Sequence, residues 1–407
     1  MRVRYIAWAF GVITTAAFQI PATFGQEDAA LRKPEIIATL KAGDAPQAIA
    51  VNAASDKIYV VNYGITGIRC NGHPATGAAG SITLIDGATD KTEAIGYGSA
   101  EGPYPYAIAV DASADTAYLL SHGHVIPVGE CTIFVPFQLA RITSTPPGIS
   151  VLEAGINCPA EGIAVAVAVD EARHKVYAAN LCGNVKVFDA ATNRVEGIIP
   201  LGFNPSALAV NTSTNKIYVA GSNQIAIIDG ATFSAKSITT ADSFGGPHSM
   251  LVNEKTNKIY ASNFYGKGVT VLDGATEEVS VIEDEKVINP GAMALNEETN
   301  KIYVAGYASG NVMVIDGQTN TASTVHTGNY PCSITVNPSA DHIFVANLGS
   351  GSDEGSVTMI EGATNATLTL KDPKALNPIA AAYDSVNQKV YVANRGSNNV
   401  TVMEDLR

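Results

Sequence analysis

Ser206-Ala207-Leu208-Ala209-Val210-Asn211, then Thr212-Ser213-Thr214-Asn215, then Lys216-Ile217-Tyr218-Val219-Ala220-Gly221, then Gln224-Ile225-Ala226-Ile227-Ile228-Asp229: this stretch decides the fold. Its apolar runs have a period of two, and each is short enough to be a strand but too short for a helix. The polar segment 212–215 is a tight turn, Gly230-Ala231-Thr232 makes the next, and residues 234–239 read as a last strand. One unit is therefore four antiparallel strands.

Working outward, the Tyr-centred string recurs as Lys57-Ile58-Tyr59-Val60-Val61-Asn62, Lys175-Val176-Tyr177-Ala178-Ala179-Asn180 and Lys258-Ile259-Tyr260-Ala261-Ser262-Asn263. Further copies lie at 301–306, 342–347 and 389–394, with a degraded one at 116–121, which makes eight. From Tyr177 onward the aromatic anchors are 41, 42, 43, 41 and 47 residues apart, but Tyr59, Tyr118 and Tyr177 are separated by 59 each, so the first two units carry insertions. A four-stranded unit of this length cannot bury both faces alone, and stacking such units around an axis gives an all-β propeller. The last unit ends one strand short at Arg407, and Glu35-Ile36-Ile37-Ala38-Thr39-Leu40 stands unused before the first. Pairing the two closes the ring and removes an exposed edge. The expected organisation is one propeller over residues 26–407 with eight blades beginning near residue 45, the segment at about 34–42 completing the last.

Tyr59-Val60-Val61-Asn62 and Tyr391-Val392-Ala393-Asn394 resemble the repeat of the YVTN β-propeller family. The resemblance implies a propeller, commonly of seven blades, so seven stands as the alternative to the eight motif copies counted here. It is weak for activity. Related propellers include surface-layer proteins, a periplasmic DNA-binding type, lyases, lactonases and the copper domain of nitrous oxide reductase.

The 407 residues are 46% hydrophobic and only 15% charged, which excludes intrinsic disorder. With 38 acidic against 25 basic side chains, and a net charge of −13, the composition argues against nucleic-acid binding. Arg2 and Arg4 precede a mostly apolar run at 5–18, followed by Ala22-Thr23-Phe24-Gly25 and the polar Gln26-Glu27-Asp28. That order reads as a signal peptide over residues 1–25, hence a chain exported to the periplasm or beyond, with no membrane span after cleavage. A monomer is expected.

Candidate sites lie where the repeat is broken. The connections from Asn62 to Asp86, Ser121 to Glu153 and Asn347 to Glu361 are the long ones between second and third strands, and all rise from one face. With Glu153 taken as the acid that ends a third strand, the second unit lacks an outer strand; Thr132-Ile133-Phe134-Val135-Pro136-Phe137-Gln138-Leu139 either replaces it or forms a hydrophobic lid. Cys70, Cys131, Cys158 and Cys182 map to the same rim. In an oxidising compartment two disulfides, Cys70 with Cys131 and Cys158 with Cys182, are the first expectation, with metal ligation the alternative. His73, His122, His124, His248 and His326 share that rim, and His122 and His124 with His73 could hold copper or zinc, although no cofactor is firmly implied. His248 and Cys332, each directly after the Pro that opens an inner strand, are expected at the mouth of the central channel as ligand contacts. The acids at the third-strand ends, Asp86, Asp189, Asp229, Asp273, Asp316 and Glu361, recur with the turn and read as turn formers.

The function so implied is an exported scaffold that binds a small molecule or an envelope protein through the long loops of blades 1 and 2. The alternative is a propeller lyase or hydrolase, metal-dependent or not, with a histidine-based site on that face.

Overall fold

The computed structural model describes residues 33–64, 79–97, 104–122, 124–128, 131–135, 138–154, 164–240, 246–266, 268–350 and 353–405, with the side chains of 122–137 and 153–164 excluded. Eight four-stranded antiparallel sheets form a ring, and the described residues contain no helix. Blade 1 runs Pro46–Asn52, Lys57–Asn62, Ser81–Asp86 and Thr92–Gly96, from the axis outward. Blades 2 to 7 repeat the order over 104–154, 164–200, 207–239, 247–283, 290–326 and 331–370. Blade 8 takes Pro378–Asp384, Lys389–Asn394 and Asn399–Glu404 from the end of the chain, and its outer strand is Glu35–Lys41. Leu40 pairs with Val400, Thr39 with Thr401 and Ala38 with Val402, so the ring closes as the sequence predicts.

Stacked sheets bury both faces of their middle strands, and this is why the second strands show almost no polar alternation. Tyr59, Tyr118, Tyr177, Tyr218, Tyr260, Tyr303 and Tyr391 are all fully buried between blades. The outermost strands, with one face in water, revert to alternation. Asparagine ends the second strand because its amide reaches a hydroxyl on the third: Asn62 Nδ2 donates to Thr83 Oγ1 at 3.0 Å, Asn263 to Thr270 at 3.1 Å, Asn347 to Thr358 at 3.0 Å and Asn394 to Thr401 at 2.9 Å. Blades 4 and 6 replace both partners together, pairing Gly221 with an Ala226 strand and Gly306 with a Met313 strand.

The turns away from the candidate face stitch neighbouring blades. Asn52 donates to Asp115 of the next blade at 3.1 Å, Asn211 to Asn257 at 2.9 Å, Asn253 to Asn300 at 2.8 Å and Asn296 to Asp341 at 2.7 Å. Each acceptor sits at positive φ, between 49° and 53°, where Asn and Asp are tolerated. The expected turn role of the third-strand acids holds: Asp86, Asp189, Asp229, Asp273 and Asp316 each accept the backbone N–H of the residue three on, and Glu361 accepts the hydroxyl of Thr364.

Blade 2 departs from expectation. Its outer strand is not missing: Pro147–Ala154, read from sequence as the third strand, is the outer one, and Gln138–Ser144 is the third. The expected replacement strand is divided, since Cys131–Val135 pairs with His124–Val128 in a separate hairpin while Gln138 and Leu139 begin the third strand. The usual Asp-Gly-Ala-Thr signal is absent after Ser144, where Thr145-Pro146-Pro147 makes the turn instead. Taking Glu153 as the marker acid therefore shifts the assignment by one strand.

Candidate functional site

Because strands alternate in direction, the connections from second to third strand and from outer strand to the next inner strand emerge on one face. Seven of the eight inner strands begin there with a bulge, as between Pro46 and Ala48 or Pro331 and Ser333. The bulge turns the residue after proline into the seam with the following blade rather than toward the channel. Cys332 is thus 3% exposed, its thiol donating to Ala346 O at 3.4 Å and, across the seam, to Pro378 O at 3.4 Å. Burial pushes this free thiol up to about 12, so it is un-ionised and inert at neutral pH. It is not placed to touch a ligand at the mouth, contrary to expectation.

His248 occupies the same position in blade 5. Its ring stacks on Phe264 (centroids 4.9 Å apart, planes 25°) and lies beside Gly291 of blade 6, where a Cβ would be 3.7 Å from Nδ1. Both ring nitrogens are shut off from water, and burial pushes the imidazole down to about 4. At neutral pH it is a neutral, largely apolar filler under Phe264. His326, on the outer strand of blade 6, is exposed with Nδ1 3.1 Å from Asn311 Oδ1. His122 ends the second strand of blade 2 and His124 begins the hairpin, three blades from His248. His73, Cys70 and Cys158 lie outside the described residues, and Cys131 is placed only as a strand residue. Cys182 is disulfide-bonded. Among the described residues no three His, Cys, Asp or Glu side chains gather around a common point.

What the face does gather is aromatic and aliphatic. The residue directly after the second strand is Tyr63 in blade 1, Phe264 in blade 5, Tyr307 in blade 6, Leu348 in blade 7 and Arg395 in blade 8. Each is fixed by a backbone bond to its own blade's incoming connection, such as Phe264 N to Gly246 O at 3.2 Å and Tyr307 N to Asn289 O at 3.0 Å. Phe264 and Tyr307 are 6.2 Å apart with planes at 45°, which is the turn per blade of an eightfold ring. Tyr307 meets Tyr330 of blade 7 at 5.1 Å and 51°, and Tyr265 stands at 88° to Phe264 at 5.3 Å. Across the ring Tyr63 stacks on Tyr104 at 5.1 Å, and burial raises the Tyr63 phenol.

Two loops of this face are built alike, Asp284-Glu285-Lys286-Val287-Ile288-Asn289-Pro290 and Asp372-Pro373-Lys374-Ala375-Leu376-Asn377-Pro378. In each the aspartate caps the turn at the lysine N–H (3.0 and 2.9 Å), and Ser309 or Ser397 accepts the N–H of the apolar residue (3.2 and 2.9 Å). The result holds Ile288 and Leu376 outward on rigid supports. Four consecutive blades therefore each present one large apolar side chain, Tyr265 (70% exposed), Ile288 (53%), Tyr330 (38%) and Leu376 (37%). Sequence reasoning centred on histidines and loop length missed this row; the pattern Asp-x-Lys-x-(Ile or Leu)-Asn-Pro shared by residues 284–290 and 372–378 was the available signal for two of its members.

Comparison of the chain with protein-family models and with curated proteins finds no match.

Proposed function

We propose that this chain is an exported propeller of the YVTN type that acts as a binding scaffold through the face bearing its long connections. The observation that carries the reading is the row of outward apolar side chains on blades 5 to 8. A solvent-exposed Tyr, Ile, Tyr and Leu on loops held by hydrogen bonds is costly unless something covers them, and tyrosine is favoured at binding hot spots. The connections after Asn62 and His122 leave from the same face. The proposal includes the signal peptide over residues 1–25 and disulfides joining Cys70 to Cys131 and Cys158 to Cys182, an arrangement suited to an oxidising compartment.

A thermal-shift screen of small molecules and peptides tests it. Ligands that stabilise the wild type are expected to lose their effect in Tyr265→Ala and Tyr330→Ala and keep it in Val386→Ser, on the opposite turns. Hits insensitive to both face substitutions would sink the reading. The alternative is a histidine-based enzyme, metal-dependent or not, using His122 and His124 of the His-x-His string. Its metal-dependent form predicts near-stoichiometric copper or zinc by elemental analysis, lost in a His122→Ala/His124→Ala variant.

A further inference from the structure

We infer that the aromatic cluster of blades 5 to 7 binds a small organic cation of the quaternary-ammonium class; this rests on the reading of that face as a binding face. Phe264 and Tyr307 are half-buried between the more exposed Tyr265 and Tyr330, and the four rings form one contiguous cluster, with neighbouring centroids 5.3, 6.2 and 5.1 Å apart. Neighbouring planes are inclined at 88°, 45° and 51°, so the rings do not stack flat on one another. Phe264 is backed by the neutral His248 ring, which adds no positive charge beneath it.

Ring faces are electron-rich and attract cations, most effectively those that are weakly hydrated, and quaternary ammonium groups are the ligands that aromatic cages serve best. The surrounding charge discriminates further. The chain carries 38 acids against 25 bases, a field that concentrates cations and repels anions. Beside Tyr330, Asn329 Nδ2 donates to Asp353 Oδ2 at 3.1 Å, and Asp353 meets Lys371 at 3.5 Å; the next residue in the chain, Glu354, is exposed and adds a second carboxylate to that segment. Asn289 Nδ2 donates to the Phe264 carbonyl at 2.8 Å, which ties the loop carrying the exposed Ile288 to the backbone under the Phe264 ring.

The test is a proton NMR titration of choline with the mature protein, run beside its neutral isostere 3,3-dimethylbutan-1-ol. Ring currents should move the choline methyl signal upfield in a saturable way, with affinity at least about fivefold above the isostere, in line with a cation–ring attraction of about 1–2 kcal/mol. Tyr265→Ala and Tyr330→Ala should each weaken choline binding about threefold or more, while Val386→Ser leaves it unchanged. Equal binding of the isostere would overturn the cation class but leave an apolar binding face. Binding indifferent to both tyrosines would overturn the face as well as the class. Absence of saturable binding by choline would overturn the inference alone, the face then being decided by the library screen.

Discussion

At the scale of single residues, the position that ends each second strand shows two solutions to one packing problem. In blades 1, 5, 7 and 8 asparagine fills it where a threonine faces it on the third strand, and its amide N–H donates to that hydroxyl. Glycine fills it in blade 4 because the incoming connection passes so close that a Cβ at Gly221 would lie 2.1 Å from Asn204 O and 2.8 Å from the Pro205 Cα. Backbone cannot step aside as a side-chain end can. Gly221→Ala is therefore expected to cost about 1–3 kcal/mol, seen as a lowered midpoint of thermal unfolding. Gly291→Ala is the matched control, since its Cβ would meet nothing closer than 3.7 Å, and it should fall within about 0.5 kcal/mol of wild type. Equal effects from the two would show that close approach is not why glycine is used.

At the scale of elements, blade number, ring closure and the strand order of every blade but the second were legible in the sequence, because a two-residue period repeated eight times leaves little choice of stacking. Blade 2 was misassigned since its third strand, Gln138–Ser144, carries Arg141 at its centre and no terminal acid, so its landmark was missing. His248 and Cys332 are expected at the channel mouth because each follows the Pro that opens an inner strand, a position that the sequence does not show to be bulged. The apolar row escaped because its members lie in the connections between strands, where a two-residue period has nothing to say. Seams between blades are a further element-level device. That between blades 7 and 8 has no ordinary third-strand turn to grip, because blade 8 takes its outer strand from the other end of the chain. Asp405 stands in: it is fully buried and accepts from Asn337 Nδ2 at 2.7 Å, with its other oxygen 2.8 Å from His342 Nδ1. The hydrogen bond to Asp405 raises the imidazole above its ordinary 6.5 despite burial, which opposes it. A histidine that holds its proton more tightly when folded adds stability that is complete below the unfolded value and fades as pH rises through the folded one. Wild type should accordingly exceed His342→Phe in melting temperature by more at about pH 6 than at about pH 9. A gap that stays constant or widens with pH would mean that the pair does not act through the imidazolium.

For the whole molecule, one strand decides whether the ring has an edge. Glu35–Lys41 covers Asn399–Glu404, in which Val400, Val402 and Met403 are fully buried, and Thr39 Oγ1 and Thr401 Oγ1 both donate to Asp372 at 2.8 Å in the connection from blade 7. On the turn side, Lys389 Nζ reaches the Gly87 carbonyl and Asp90 at 2.9 Å, and Tyr391 donates to Asp90 at 3.1 Å, so blade 8 is also tied to blade 1. A chain beginning at Ala42 would keep the second set of ties and lose the first. It would then present a row of unpaired N–H and C=O groups beside a newly wetted apolar strand, the arrangement that recruits another chain. Size-exclusion chromatography of that truncation should show higher-order species and a lower melting temperature than the intact chain. A synthetic peptide spanning Glu35–Lys41, added in trans, should return both toward wild type by re-forming the missing pairing. Rescue separates loss of the edge cover from general misfolding, since a misfolded ring has no slot for the peptide to fill. If the truncated chain eluted and melted like the intact one, the ties of blade 8 to blade 1 would suffice to hold the ring and the closing strand would be dispensable.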